Sequence, residues 1–191
     1  QDLPFDLLII NGRIMDGTGN PWRRADIGVR DGRIAAIGVL GDASAERRID
    51  AGGQLVTPGF IDVHSHAGEG LAREGLGQGK PLLAQGITTI VANPDGGGPV
   101  DLNQQRQLLE SNGLGLNVAL LIGHAAVRRD VLAMADRTPT EEEMVEMQRL
   151  VRRGMKAGAY GLSSGLFYAP GSYATTEEIV ALGSVVAEFG G

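Results

Sequence analysis

Cysteine is absent from this 191-residue sequence, and lysine occurs only twice, as Lys80 and Lys156, beside fifteen arginines. The first absence excludes a disulfide scaffold and any metal site built from thiolate ligands. Long apolar runs are also missing, because Gly, Asp or Arg interrupts each of them. None approaches the roughly 20 residues that a transmembrane helix needs, so we expect no membrane partner.

A basic excess is lacking as well. The sequence has 23 acidic and 17 basic residues, with a formal net charge of -6. A nucleic-acid surface needs a clustered positive field, so we expect no nucleic-acid partner. The length suggests one domain and part of another. A first residue other than Met fits a removed signal peptide, so a cytoplasmic and a periplasmic location both stay open.

Glycine is abundant, with 30 residues, and the chain falls into two regions with different patterns of secondary structure. Residues 1–57 predict the N-terminal strands of a small β-sandwich. Short apolar runs there are separated by three pairs that tolerate positive φ and are typical of hairpin turns: Asn11-Gly12, Asp31-Gly32 and Gly52-Gly53.

From residue 58 the pattern changes to strands that alternate with helices, which predicts a parallel sheet covered by helices. Thr140 with Glu143, and Thr175 with Glu178, have the spacing of capping boxes at helix starts. The predicted strands are 59–66, 87–93, 117–124 and 159–167, and the predicted helices are 102–110, 141–157 and a last one that ends near Phe189.

These four strand–helix units fill only part of a known architecture. A (β/α)₈ barrel takes about 250 residues, and 134 remain after Thr57 (191 minus 57). We therefore expect residues 58–191 to be the first half of such a barrel, strands 1 to 4, in a chain that looks truncated. A second polypeptide segment is expected to carry the rest.

Two of the three histidines, His64 and His66, are two residues apart at the end of the first predicted barrel strand. Positions i and i+2 of a strand point to the same face. At the carboxyl end of a barrel strand that face forms the active-site mouth, where two imidazoles supply half of a Zn²⁺ site. Two unrelated surface histidines are the alternative.

Three segments, LIINGRIMDGTG, PGFIDVHSH and GLSSGLFYAPGSYATTEEIVAL, resemble the amidohydrolase superfamily. More narrowly, they are similar to its N-acyl-D-amino-acid deacylases, the D-aminoacylases. The resemblance implies a metal-dependent barrel beside a small β-sandwich. It also implies that the catalytic acid, an aspartate, and two further histidine ligands lie beyond Gly191.

The sequence departs from these deacylases after the second barrel strand, where their metal-binding cysteine falls on Asp95. A carboxylate oxygen also binds Zn²⁺. We therefore expect Asp95 to join His64 and His66 as a ligand of one or two zinc ions, with Mn²⁺ admitted more readily by the harder oxygen. Capping of the turn at 94–98 is the alternative role. Neither lysine is placed to bridge two metals.

Four further residues are candidates at the barrel mouth. Tyr168 is expected to donate to the oxyanion of a tetrahedral intermediate, with aromatic packing beside the Pro-Gly turn as the alternative. His124 and Asp62 are expected to contact substrate or orient a metal ligand, with a structural role left open for each. Ser163 belongs with them, because no GxSxG elbow or nearby base makes it a nucleophile.

The candidate metal ligands favour hydrolysis by metal-activated water, and the resemblance implies that the substrate is the amide bond of N-acyl-D-amino acids. A cyclic amidase of the dihydroorotase or hydantoinase kind, or a dipeptidase, is the alternative within the superfamily. A catalytically silent metal-binding fragment is the alternative from another class.

Overall fold

The computed structural model describes residues 4–191, and the chain divides after Pro58 into two compact units. The described part of the first unit contains strands and no helix. Its five strands form one sheet in which β3, β2, β1 and β4 are neighbours in that order and β5 also pairs with β1. The strands are β1 (Phe5–Ile14), β2 (Arg23–Arg30), β3 (Arg33–Gly38), β4 (Ala45–Asp50) and β5 (Leu55–Val56).

The turn at Asp31-Gly32 is a hairpin, as its sequence predicts. It joins the antiparallel strands β2 and β3, and its two residues have φ of 52° and 69°. Positive φ at both positions is the requirement of a two-residue type I′ turn.

The hairpins predicted at Asn11-Gly12 and Gly52-Gly53 are wrong. Asn11 lies inside β1, where the pairing with β2 shifts register, and Gly52-Gly53 separates two strands that both run parallel to β1. The Gly53 N–H donates to the Asn11 carbonyl at 2.8 Å, so the register shift of β1 lies opposite the break between β4 and β5. Both pairs do adopt positive φ at Asn11, Gly52 and Gly53, but a bulge uses that conformation as readily as a chain reversal.

Parallel strands form the sheets of the second unit: β6 (Phe60–Ser65), β7 (Ile87–Ala92), β8 (Asn117–Leu120), β9 (Ile122–Gly123) and β10 (Leu162–Ser163). The order is β6-β7-β8 in one sheet, and β9 pairs with β10. Only Leu121 separates β8 from β9. Its N–H still reaches the Ala92 carbonyl at 3.2 Å, whereas the next N–H, of Ile122, donates to Gly161 at 3.0 Å. The third barrel strand, formed by β8 and β9, thus pairs with the second strand (β7) along its first part and with the fourth strand (β10) at its end.

Six α-helices and a short 3₁₀-helix (Gly171–Tyr173) accompany these strands. The α-helices are α1 (Gly68–Leu71), α2 (Lys80–Leu83), α3 (Leu102–Ser111), α4 (His124–Leu132), α5 (Glu141–Lys156) and α6 (Thr176–Ala187). The sequence did not reveal α4, which is short and whose N-cap residue, Gly123, provides no side-chain cap. The prediction that His124 ends a strand is therefore wrong, because it is the first residue of this helix. The fourth barrel strand is also shorter than 159–167.

The capping box predicted at Thr140 and Glu143 is complete at the start of α5. At α6 only half of the predicted box forms. The Thr175 hydroxyl accepts the Glu178 N–H at 3.3 Å, but the Glu178 carboxylate binds buried partners instead of the helix start.

The main core of the second unit packs β9 against α4, α5 and α6, with Ile122, Val127, Met147, Val151 and Leu182 among its fully buried side chains. A smaller cluster lies around Ile90 of β7. No helix in residues 4–191 combines the length and apolar character needed to cross a bilayer.

Candidate metal centre

His64 and His66 stand at the carboxyl end of β6, and Asp95 follows β7, the neighbouring parallel strand. His64 is the fifth residue of β6, and His66 comes directly after its last residue. Because parallel strands end at the same edge of a sheet, the loop after β7 comes beside the histidine pair.

The three side chains converge on one point. The Asp95 Oδ2 atom lies 3.2 Å from His64 Nε2 and 3.2 Å from His66 Nε2. Their three ligand atoms all lie within 4.8 Å of one another. The imidazole rings are 5.5 Å apart and inclined by 57°, so they are not stacked and each directs Nε2 at the carboxylate.

This donor set fits a divalent metal ion. Two ligand atoms about 2.05 Å from a tetrahedral Zn²⁺ are about 3.3 Å apart, close to the two distances observed here. Imidazole nitrogen and carboxylate oxygen are both zinc ligands, and three protein groups leave a coordination position open. The side chains of His64 and His66 are 58% and 70% exposed, and that of Asp95 is 35% exposed, so solvent reaches the cluster.

The loop that carries Asp95 is held by Ser163 of β10. The Ser163 hydroxyl donates to the Asn93 carbonyl at 2.6 Å and accepts the Gly96 N–H at 3.1 Å. The residue is buried, so these bonds are shielded from water. Ser163 therefore acts on the loop backbone on both sides of Asp95.

Two glycines let this loop lie against the ends of β9 and β10. A Cβ at Gly165 would overlap the backbone of Asp95, and a Cβ at Gly123 would overlap the carbonyls of Gly96 and Gly97. The Ala126 N–H of α4 also donates to the Gly96 carbonyl at 2.9 Å. The position of Asp95 is thus set by main-chain contacts.

Asp95 itself has φ of 56°, a left-handed conformation that is uncommon outside glycine. The turn after it is closed by the Gly97 N–H, which donates to the Pro94 carbonyl at 3.0 Å. The turn therefore has its own backbone hydrogen bond, while the Asp95 carboxylate faces the two imidazoles.

Asp62 lies on β6 two residues before His64 and contacts the His64 backbone. Its carboxylate accepts the His64 N–H at 3.1 Å. This bond steadies the main chain at His64 and leaves the imidazole without a contact from Asp62.

His124 lies outside the cluster, in a buried ion-pair network. Its Nε2 is 2.8 Å from a Glu178 carboxylate oxygen, and the second oxygen of Glu178 pairs with Arg128, one helical turn along α4. All three residues are almost completely buried. Burial alone would raise the pKa of Glu178, but the hydrogen bonds from His124 and Arg128 hold it below its usual range.

A cleft of about 430 Å³ opens beside the cluster, and Tyr168 lines it together with His66 and Asp95. The Tyr168 side chain packs edge-on against Phe167, with ring centroids 5.3 Å apart. Tyr168 is 58% exposed, so more than half of its surface is accessible to solvent. Arg129 of α4 lines the same cleft and was missed in the sequence.

The network around Glu178 was also missed, although a signal for it existed. His124 and Arg128 are four residues apart, the spacing that brings side chains together on one helix face. Because an arginine keeps its charge when it is buried, this pair on one helix face indicates an acidic partner from elsewhere in the chain.

A family model described as the amidohydrolase family matches residues 47–190. The chain belongs to the amidohydrolase family. Among curated relatives of this amidohydrolase, D-aminoacylase from Alcaligenes xylosoxydans xylosoxydans is 38% identical over 98% of this chain and 43% of its own length. The chain thus spans less than half the length of that relative.

Solved structures agree with this assignment. The N-acyl-D-glutamate deacylase of Bordetella bronchiseptica, complexed with zinc and a phosphonate mimic of the tetrahedral intermediate, is 37% identical with a TM-score of 0.85. A D-aminoacylase whose binuclear metal centre shows one-metal activation and second-metal attenuation is 35% identical with a TM-score of 0.90. These matches cover 97% and 98% of this amidohydrolase and 44% of each structure. The expected fold class, part of an amidohydrolase barrel preceded by a β-sandwich portion, is confirmed.

Proposed function

We propose that this chain supplies the first metal-binding segment of a deacylase that hydrolyses the amide bond of N-acyl-D-amino acids. The observation that carries the proposal is the convergence of His64, His66 and Asp95 at the ends of two neighbouring barrel strands. Relatives that match almost the whole chain are named as enzymes of this activity, which supports the substrate class.

The proposed cofactor is Zn²⁺, as one ion or two, held by His64 Nε2, His66 Nε2 and Asp95 Oδ2. Zinc is present in one relative, and a binuclear centre is described for another, which supports this choice. The carboxylate in place of a thiolate also admits Mn²⁺. When bound, such an ion lowers the pKa of water towards about 7 and polarises a carbonyl group.

The remaining residues are proposed to hold this arrangement and to bind substrate. Ser163 fixes the loop of Asp95, and Asp62 fixes the backbone of His64. Tyr168 is proposed to donate its phenol hydrogen to the negative charge that develops on the carbonyl oxygen, because it lines the cleft beside His66 and Asp95. His124 is proposed to act through α4, whose Ala126 N–H holds the Gly96 carbonyl.

We further propose that a second polypeptide segment completes the barrel and provides the catalytic acid. Two observations support this. The chain covers 43% of the D-aminoacylase that it matches. Within the described residues β6 is an edge strand, and it exposes Phe60, Ile61 and Val63. An apolar edge of this kind is ordinarily paired or covered.

The test combines metal analysis with hydrolysis assays. Residues 1–191 alone are expected to bind zinc without hydrolysing N-acetyl-D-methionine. The same residues with a complementing second half are expected to bind zinc and to release the D-amino acid. Hydrolysis by residues 1–191 alone would contradict the second segment, and absence of metal binding in both samples would contradict the whole proposal. The L-enantiomer, dihydroorotate, hydantoin and a dipeptide distinguish the alternative amidohydrolase reactions.

A further inference from the structure

Arg129 is an exposed arginine on the wall of the cleft that contains His66, Asp95 and Tyr168. The ion pairs of the described residues do not include it. The two acidic side chains on the cleft wall, Glu69 and Asp95, are not paired with it either. Arg129 therefore lies on the cleft wall without an ion-pair partner in residues 4–191.

The geometry of α4 explains why Arg129 reaches this cleft. Ala125 and Arg129 are four residues apart, so they lie on one face of the helix, about 6 Å apart along its axis. Ala125 touches the loop of Asp95, since a Cβ on Gly96 would meet Ala125 at 3.0 to 3.2 Å. Arg129 is thus one turn further along the face that borders the candidate metal centre.

The neighbouring Arg128 shows a different use of the same residue type. Arg128 is completely buried, pairs with Glu178 and donates to the Arg137 carbonyl at 2.6 Å. Those contacts engage both terminal nitrogens of Arg128 in the interior, while its Nε has no hydrogen-bond partner. Of these two adjacent arginines, Arg128 is paired in the interior and Arg129 lies on the cleft wall.

The balance of charge in the cleft gives Arg129 its significance. With His66 and Asp95 engaged at the candidate metal centre, the charged side chains that remain on the cleft wall are Glu69 and Arg129. A guanidinium presents paired N–H donors that match a carboxylate, and its positive charge is permanent. Every N-acyl amino acid carries an α-carboxylate, and an acidic residue carries a second one in its side chain.

We propose that Arg129 is a substrate-binding residue that takes up a carboxylate group of the N-acyl amino acid. This inference rests on the proposed deacylase function and adds a positive subsite to it. Binding at this position holds the anionic end of the substrate on α4, while the acyl carbonyl faces the three-residue cluster. Neutral N-acyl compounds lack the group that Arg129 recognises.

The test measures binding, so that it does not depend on turnover. The probes are ketone analogues in which CH₂ replaces the amide N–H: the N-acetyl-D-leucine analogue, its α-carboxamide, and the α-carboxamide of the N-acetyl-D-glutamate analogue. Calorimetry on the metal-loaded protein gives dissociation constants for the wild type and for Arg129→Gln, Arg129→Lys and Arg153→Gln. Arg153 is also exposed but lies on α5 outside the cleft, so its variant controls for loss of one positive charge.

Arg129→Gln is expected to weaken carboxylate binding about 10- to 100-fold and to change binding of the neutral leucine α-carboxamide less than twofold. The carboxylate affinity of Arg129→Lys is expected to lie between those of the wild type and Arg129→Gln, because lysine keeps the positive charge but loses the paired N–H donors. Loss confined to the leucine acid assigns the α-carboxylate, and loss with the glutamate α-carboxamide assigns an acidic side chain.

The proposal is overturned if wild type binds the acid no better than its amide, if Arg129→Gln weakens both alike, or if Arg153→Gln has the same effect. Metal content and hydrolysis are measured separately on the same samples. If residues 1–191 together with the complementing second half bind the probes charge-selectively through Arg129 but cleave no N-acyl amino acid, the deacylase function is refuted and this site is left intact.

Discussion

Replacement of Asp95 by alanine tests the candidate metal centre most directly. Four-ligand zinc sites bind with about 10–16 kcal/mol, which is roughly 2.5–4 kcal/mol for each ligand. Loss of one ligand should therefore weaken zinc binding about 100- to 1000-fold. The single Asp95 oxygen that lies 3.2 Å from both imidazoles makes this residue the centre of the cluster. Competition with a chromophoric chelator measures the affinity at constant pH.

Glu69→Ala provides the matched control. Glu69 lines the same cleft with the same charge, but it is not one of the three clustered groups. We expect this variant to bind zinc within a few-fold of wild type, because it removes only a screened, long-range attraction. Equal weakening by the two variants would mean that the local field, rather than ligation by Asp95, determines affinity. Unchanged affinity in Asp95→Ala would exclude that residue from the site.

Three further predictions concern the surrounding structure. Glu178→Gln leaves a buried arginine uncompensated and should lower the free energy of unfolding, measured by urea titration, by about 3–5 kcal/mol. The control variant Glu188→Gln breaks an exposed ion pair with Arg152 and should lower it by only about 0.2–1 kcal/mol. Ser163→Ala removes both bonds to the loop of Asp95 and should weaken zinc about 10-fold without altering the ligand set, as chelator competition would show. The hydrogen bond from an arginine lowers the pKa of Glu143 from 4.5 to about 2, so its stabilising effect is present above pH 4.5 and is lost as pH falls towards 2. Glu143→Gln should therefore flatten that part of the acid-unfolding curve followed by circular dichroism, and an unchanged curve would contradict the assignment.

The parallel strands of the second unit could be predicted because their apolar runs alternate with amphipathic helices. Helix α5 was equally clear, since Thr140 and Glu143 specify its first turn through local hydrogen bonds. The histidine pair was predicted from a simple rule, that alternate residues at the carboxyl end of a barrel strand share the face of the active-site mouth. Asp95 was predicted from the resemblance to the deacylases, whose metal-binding cysteine falls on that position.

Features that depend on long-range contacts escaped prediction. Helix α4 has no capping side chain, and its start is stabilised by burial of His124 against Glu178, which is 54 residues away in sequence. The pairs Asn11-Gly12 and Gly52-Gly53 indicate positive φ, but their roles depend on distant pairing: the first lies at a register shift of β1, and the second connects β4 to β5. Arg129 resembles any surface arginine until the position of α4 beside the cleft is known.

Because backbone atoms fix the loop around residue 95, the identity of the donor there is separable from its location. A thiolate introduced by Asp95→Cys would be presented from the same anchored segment, with the scaffold indifferent to which chemical group it displays. A single substitution at position 95 would then change the preference between hard and soft metal ions. Any side chain at Gly123 or Gly165 would instead displace the loop and move the ligand atom, whichever residue occupies position 95.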